Sequence, residues 1–553
     1  MPRRHANPNQ LSLFALSPAV APAVQPRIIP PPLIDRPATS HQPPANSSSL
    51  LAPRSEPLRD YQIEAIAFAK QHGSAIIVLP TNTGKTEVEF HLAADVLEQG
   101  KVICVAEKTL LCEQHFREAK ERIRLKEDEV VLAIGNSRER AADKKSFYAN
   151  ARLIIGTPET LVNDIASGAL DLKDVKLGLL DEVHHTQGND AYAKLGAMLA
   201  SVNINRVGLS ASPAESGDRL QALLEMLQIS IGADAVFIRT DKDTEKYVRK
   251  PAEIKVFVTL EDERKRALTL LFRIAGDIFG NMLASARTAR LGSLTANYSF
   301  SKFRLPLHEE LENGHSIVDD ACKRLRGKKP WDLSESERAI FDAMKYHAAL
   351  WKITKCYDYL ARIGSEEFNE FAGKILEDRK TKAAELIRDD GRFRECVRVA
   401  ATLSDHPKTD AILRLLASND RQGIIFVETH AHARRLANFL NEHGISAHEL
   451  LGSSGMTKKR QSGVRADFEA GKYRILVATS VAEEGLHLPV LHTGIFYSPA
   501  HTSISYQQRR GRVRDAEGRV FILIADETSD VSLYYATRGR DRSVAKALEG
   551  LRA

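Results

Sequence analysis

Two short strings carry the residue types that phosphate chemistry needs. The first is Leu79-Pro80-Thr81-Asn82-Thr83-Gly84-Lys85-Thr86, which closes an apolar run and precedes a segment rich in Glu, Leu and Ala. A loop between a strand and a helix presents backbone N–H groups to an anion, with Lys85 placed to reach β- and γ-phosphates and the Thr86 hydroxyl placed to ligate Mg²⁺. The strict G-x-x-x-x-G-K-[ST] spacing fails at its first position, where Leu79 stands. A T-G-K-T string alone would serve equally as a turn, and its place between strand and helix selects the phosphate reading. The second string, Leu179-Leu180-Asp181-Glu182-Val183-His184-His185, ends another apolar run. There Asp181 can hold Mg²⁺ through water while Glu182 accepts the proton of an attacking water.

Groups so far apart in the chain need a rigid frame to meet. From Leu58 onward, short aliphatic or β-branched runs at 75–79, 102–106, 153–156, 177–181 and 207–209 alternate with helix-period segments, the pattern of strands buried in a parallel α/β sheet. A second series lies at 423–427, 474–478, 492–497 and 519–524, and the text between about Thr259 and Asp405 is helix-period with no buried-strand run. The spacing predicts an α/β fold with parallel-sheet domains at 57–240 and 405–545 and a helical insertion at 259–404. Residues 1–56 hold 12 of the 22 prolines and almost no acid, so a disordered Pro-rich tail is expected. A chain of 553 residues has room for about three to four domains. The net charge of +6 permits a polyanionic partner without demanding one. Five cysteines without a C-x-x-C pair argue against a zinc knuckle or a disulfide framework, and free thiols in a reducing compartment are expected. No apolar run is read as approaching the ~18 residues of a membrane helix. The stretch 11–16, soon followed by Pro18, is too short for a secretory core. A soluble, intracellular protein with no membrane partner is the expectation.

The ordered set of strings resembles superfamily 2 DExH helicases and translocases, over roughly residues 58–545. The resemblance implies two RecA-like domains that bind ATP and Mg²⁺ between them, and it assigns roles. Leu58-Arg59-Asp60-Tyr61-Gln62 resembles the upstream adenine-reading element, giving Arg59 and Gln62 beside Thr81, Asn82, Thr83, Gly84, Lys85 and Thr86 as ATP-binding residues. Lys85, Asp181, Glu182 and His184 fall on the catalytic positions, with Thr86 and Asp181 on the metal. Thr157-Pro158-Glu159-Thr160-Leu161 resembles the motif gripping strand phosphates, and the motif spanning 106–114 adds Lys108. The string 208–213 resembles the coupling element through Ser210 and Ser212. In the second domain 424–429 resembles motif IV, with Thr429 on nucleic acid, and 477–486 resembles motif V, with Thr479 on nucleic acid and Gly485 on ATP. Gln508-Arg509-Arg510-Gly511-Arg512-Val513-Arg514 resembles motif VI, implying catalytic Gln508 and Arg512 as arginine finger. The usual last arginine falls at Asp515, leaving Arg514 and Arg509 as candidates for a second finger. Further departures are Asn82 where relatives usually have Gly, His487 where they carry an acid, and Glu107 for a proline. Asn tolerates a positive φ, so the loop is expected to keep its shape.

Glu483-Glu484-Gly485, His406-Pro407-Lys408-Thr409 and the helical insertion resemble the group of Hef, the Fanconi-anaemia M translocase, Dicer and the innate RNA sensors. That group implies an insertion touching duplex nucleic acid, for which Lys323, Arg324, Arg326, Lys328 and Lys329 could supply phosphate contacts. In the tail, Gln10-Leu11-Ser12-Leu13-Phe14 resembles the bacterial sliding-clamp-binding peptide, with Gln10, Leu11, Leu13 and Phe14 on the clamp. The combined expectation is a cytoplasmic, nucleoid-associated bacterial DNA helicase or translocase, ATP- and Mg²⁺-dependent, acting on duplex or branched DNA beside the clamp. An RNA-directed DExH ATPase and a clamp-tethered DNA-binding scaffold with weak or no turnover are the alternatives.

Overall fold

The computed structural model describes residues 48–53, 56–135, 144–183, 190–211, 217–229, 235–292, 308–325, 328–329, 332–452, 454–482, 488–515 and 517–550. Most of the expected tail, 1–56, lies outside them, but its described stretch 48–53 packs on the first domain. The Ser48 hydroxyl donates to the Ala94 carbonyl at 3.1 Å, and Leu51 bridges Ile123.

Seven strands form the first sheet: β1 Ala75–Val78, β2 Lys101–Val105, β3 Val130–Ala133, β4 Leu153–Gly156, β5 Val175–Leu180, β6 Asn205–Ser210 and β7 Val236–Ile238. They run parallel in the order β3-β4-β2-β5-β6-β1-β7. Helices cover both faces, so alternate residues of one strand enter different cores. Ile77, Cys104, Ile155, Leu179 and Val207 pack on one side, and Ile76, Val78, Ile103, Ile154 and Leu180 on the other. Burial on both faces is why these strands read as continuous apolar runs. Parallel strands also end at one edge, which is where loops can converge on a ligand.

The second sheet contains β8 Ala252–Val258, β9 Gly423–Phe426, β10 Ala447–Leu450, β11 Ile475–Ala478, β12 Thr493–Phe496 and β13 Arg519–Ala525. Its order is β10-β11-β9-β12-β13-β8, again parallel. Strand β8 precedes the helical insertion yet pairs with β13 from Ala252↔Arg519 to Val258↔Ala525. The chain therefore crosses to the second sheet before the insertion begins, and the insertion hangs from the second domain.

The insertion is built on helices Asp262–Thr288, Glu335–Asp358 and Gly391–Ala400. Leu268, Leu271, Ile274, Ile278 and Met282 of the first pack with Ala349, Leu350 and Ile353 of the second and Phe393 and Cys396 of the third. The expectation that no segment is apolar enough to span a membrane needs correcting. Helix Asp262–Thr288 meets that test by length and composition, but its apolar face is spent on this helical core. Arg264, without solvent exposure, donates to the carbonyls of Leu360 and Ser404 at 3.2 and 3.1 Å, stitching the start of the insertion to its end. All five cysteines are free thiols.

A buried charge cluster joins insertion and second domain. Asp530 is fully buried and accepts from Arg362 Nε at 2.8 Å, Lys408 Nζ at 2.5 Å and the Ala525 amide at 3.1 Å. Arg362, in the insertion, also reaches Glu428 at the end of β9. Burial would raise the Glu428 pKa, but Arg362 and His501 reverse this and hold it well below the carboxylate range. Removing one member of such a cluster leaves buried charge uncompensated, at a cost of about 3–5 kcal/mol. Asp530→Ala should therefore lower unfolding free energy in urea by about that amount, whereas Lys374→Ala, breaking an exposed pair with Glu370, should be indistinguishable from the parent. Equal midpoints for Asp530→Ala and the parent would show that the cluster does not tie the insertion down.

Candidate active site

Strand β1 delivers the phosphate-cradling loop. The Leu79 amide still bonds to the Ser210 carbonyl at 3.0 Å, after which the chain turns through Asn82 at φ 63° and Gly84 at φ 77° into helix Lys85–Leu97. Asn82 thus holds the positive φ expected of it. Gly84 is required twice over, because a Cβ there would also lie 2.5 Å from Gln62 Nε2. Inside the loop, the Thr83 hydroxyl donates to the Pro80 carbonyl at 2.6 Å. Helix Asp60–His72 braces it from outside. Gln62, 2% exposed, donates to the Thr83 and Gly84 carbonyls at 2.9 and 3.3 Å and accepts from the Arg59 amide at 2.9 Å, while Tyr61 Oη donates to the Thr83 carbonyl at 2.7 Å. A base contacting Gln62 would act on the same carboxamide that supports the loop.

Strand β5 delivers the acids. The Asp181 amide bonds to the Val105 carbonyl and its carboxylate accepts from the Glu182 amide, both at 2.9 Å. Glu182 sits at φ 44°, a conformation that costs a non-glycine residue roughly 1–2 kcal/mol and turns the side chain back towards the loop. Its Oε1 lies 3.0 Å from Lys85 Nζ. Lys85 and the general-base candidate Glu182 are therefore directly paired, and a phosphate arriving at the loop would compete with Glu182 for the ammonium group.

Behind Asp181 stand two residues that the motif reading missed. His115 Nε2 is 3.3 Å from Asp181 Oδ2, and His115 Nδ1 is 3.3 Å from Glu89 Oε2. Burial alone would raise the Asp181 pKa and lower that of His115. The ion pairs reverse both, holding the carboxyl below and the imidazole well above its ordinary value. A signal was present: Glu89 lies four residues after Lys85, on the same helix face and among buried apolar neighbours.

The donor set suits Mg²⁺. The Thr86 hydroxyl and the Asp181 carboxylate are hard oxygen ligands, and Mg²⁺ takes one or two such groups together with substrate phosphates rather than an all-protein cage. Among the described residues no cluster of three or more His, Cys, Asp or Glu side chains offers such a cage.

The second domain reaches this loop through helix Ser503–Arg510 and the turn after it. Asn82 Nδ2 donates to the Gly511 carbonyl at 2.6 Å, and a Cβ on Gly511 would stand 2.9 Å from the Thr81 hydroxyl. Gln508 and Arg512 flank this contact in sequence. Arg510 pairs with Asp241 of the first domain at 3.2 Å. Arg509, the other candidate for a second finger, is 7% exposed, with its guanidinium 5.5 and 5.7 Å from the Phe426 and Phe496 ring centres of the second domain. Asp515, standing where relatives have an arginine, pairs with Arg421 at 3.1 Å and His492 at 3.3 Å. Arg514 feels the charge of Glu118 in the first domain and remains a candidate for a second finger. His184, Ser212, Gly485 and His487 lie outside the described residues. Of the string 208–213, residues 208–211 are described, and Ser210 is fully buried at the end of β6.

Residues 59–220 match the DEAD/DEAH box helicase family, and residues 407–516 match the helicase conserved C-terminal domain. The crystal structure of the Pyrococcus furiosus Hef helicase domain superposes with TM-score 0.63 at 27% identity, covering 87% of this chain and 98% of that one. The chain belongs to the superfamily 2 helicases. Members of this family hydrolyse ATP with Mg²⁺. Among the helicase's relatives, the MJ1505 protein of Methanocaldococcus jannaschii, whose name describes an ATP-dependent RNA helicase, is 28% identical over 91% of this chain and 62% of its own length. The ATP-dependent DNA helicase MPH1 of Scheffersomyces stipitis is 23% identical over 87% and 50%. The ATP-dependent RNA helicase DHX58 of Mus musculus is 26% identical over 85% and 72%. The chain thus spans between half and three quarters of the length of these relatives.

The nucleic-acid candidates of this helicase share one structural position. Lys108, Thr157 and Thr429 are N-cap residues of the helices that follow β2, β4 and β9, Pro158 is the first helical residue after Thr157, and Thr479 directly follows β11. Helix N-termini at the carboxyl edges of both sheets can receive backbone phosphates. The basic run of the insertion is partly spent internally, since Lys323 pairs with Asp319 and Asp320, and Lys328 with Glu337. Its Arg326 lies outside the described residues.

The chemistry has a direct test in ATP turnover and ATP binding measured on the same variants. Glu182→Gln should bind ATP as the parent does while kcat falls about 100-fold or more, the scale of a lost general base. Lys85→Ala should lose binding and turnover together. Turnover at the parent rate in Glu182→Gln would remove Glu182 from the base position.

Proposed function

We propose that this chain is an ATP-dependent DNA helicase or translocase acting on branched or damaged DNA in replication-linked repair. The observation that carries the reading is the cleft between the two sheet domains, with Lys85 and Glu182 3.0 Å apart at the carboxyl edge of the first sheet and the Gly511 turn, which leads into β13 beside the start of β12, bonded to Asn82 from the other side. Such a cleft lets ATP draw together two domains that each carry a nucleic-acid-facing edge, and lets hydrolysis release them. Phosphates arriving at Lys85 would relieve its pairing with Glu182, leaving the carboxylate to take a proton from water. The likeness to the Hef helicase domain and to relatives named DNA helicases supports DNA as the track. Relatives named RNA helicases support an RNA-directed ATPase as the second reading. ATPase activity measured side by side on forked DNA, duplex DNA and duplex RNA separates them: stimulation greatest on forked DNA is expected, stimulation by RNA alone would replace DNA with RNA, and no stimulation would favour a scaffold.

We further propose that Gln10, Leu11, Leu13 and Phe14 dock on a bacterial sliding clamp, placing the helicase in the cytoplasm on the nucleoid. Those residues lie outside the described ones, and the support is the pentapeptide together with the Pro-rich stretch that joins it to the first domain. Short docking peptides concentrate their energy in a few anchors. Leu13→Ala with Phe14→Ala should abolish binding to purified clamp and leave ATPase on free DNA unchanged. Clamp binding that survives would make the peptide incidental.

A further inference from the structure

The Asn82 backbone alone does not explain why asparagine stands there. Glycine reaches φ 63° at lower cost, so what Asn82 adds is its side chain. That side chain crosses the cleft: Nδ2 donates to the Gly511 carbonyl at 2.6 Å. The approach is close enough that a Cβ on Gly511 would be 2.9 Å from Thr81 Oγ1 and 3.0 Å from Thr81 Cβ. The direction of the Gly511 carbonyl is set by its own helix end, because the Gly511 amide bonds to the Gln507 carbonyl at 2.9 Å and the Arg512 amide to the Arg509 carbonyl at 3.2 Å. A second anchor grips the preceding residue. Arg510 meets Asp241 at 3.2 Å, and Lys250 holds the same carboxylate at 2.6 Å. Anchors on two consecutive residues restrain both the position and the rotation of the turn, and Arg512 is the next residue along.

We propose that Asn82 is a positioning residue whose carboxamide clasps the Gly511 carbonyl across the cleft and thereby sets where Arg512 meets the phosphates on the Lys85 loop. The clasp works in one polarity, since a backbone carbonyl needs a donor. Asn82→Asp preserves shape and presents only acceptors, whereas Asn82→Gly preserves the loop backbone and removes the clasp. The inference rests on ATP being hydrolysed in this cleft, so its test has one arm that does not need turnover.

In the full-length chain, kcat with forked DNA and Kd for ATP are measured for both variants, together with energy transfer between one dye on each sheet domain without nucleotide. Loss of one hydrogen bond predicts a fall in kcat of about 5–10-fold for Asn82→Gly. The fall should be larger for Asn82→Asp, with Kd for ATP changed less than about 3-fold in Asn82→Gly. Energy transfer should drop in both, as the domains separate. Parent values of kcat and energy transfer in both variants would overturn the proposal. A Kd that rises in step with the fall in kcat would also overturn it, because Asn82 would then act through the loop alone. A parent chain with no ATPase would sink the functional reading, and the energy-transfer arm would still decide whether the clasp holds the domains.

Discussion

Asp530 is a carboxylate with no access to water, and it receives Arg362 from the insertion, Lys408 from the start of the second domain and the Ala525 amide at the end of β13. Buried charges are tolerated only when fully partnered, so these elements cannot shift against each other without exposing or orphaning a charge. The same cluster reaches Glu428 at the end of β9, next to the nucleic-acid candidate Thr429. Its consequence is mechanical: the insertion should travel with the second domain, so that the first domain on one side, and the second domain with the insertion on the other, would be the two moving bodies.

That division explains where the chemistry lies. The functional side chains sit on turns at strand ends: Lys85 after β1 and Asp181 and Glu182 after β5 at the carboxyl edge of the first sheet, and Gly511 and Arg512 on the turn that leads into β13, beside the start of β12. Groups on one body are held tightly, as the Glu89–His115–Asp181 line shows. Groups on opposite bodies meet at Asn82 with Gly511, at Asp241 with Arg510, and where Leu110 of the first domain packs against the core of the second. A firm half-site facing a junction between separate bodies is what a cleft needs if a phosphate is to decide whether it is open or shut.

The sequence made the buried frame legible because strands covered on both faces must be apolar throughout, and runs such as 102–106 and 423–427 coincide with β2 and β9. Strand β8 is not legible because it lies at the sheet edge, its first three residues half-buried and its last four alternating between exposed and buried, and β10 is not because His448 and Glu449 interrupt its four residues. The phosphate loop and the acids were legible from residue type and spacing. Partners that depend on tertiary contact were not: nothing local to Arg509 announces that Phe426 and Phe496 enclose it, or that Asp515 is met by Arg421 and His492. The membrane-length apolarity of helix Asp262–Thr288 is not visible as a continuous run because Arg273 and Asp277 interrupt its apolar stretch.

Two moving bodies make a requirement that distances can test. Dyes placed pairwise on the first sheet domain, the second sheet domain and the insertion give three separations, read with and without a non-hydrolysable ATP analogue and forked DNA. If Asp530 binds the insertion to the second domain, both separations from the first domain change together while the separation between second domain and insertion stays constant. A change between second domain and insertion as large as that between the two sheet domains would contradict this division and make the insertion a third moving part.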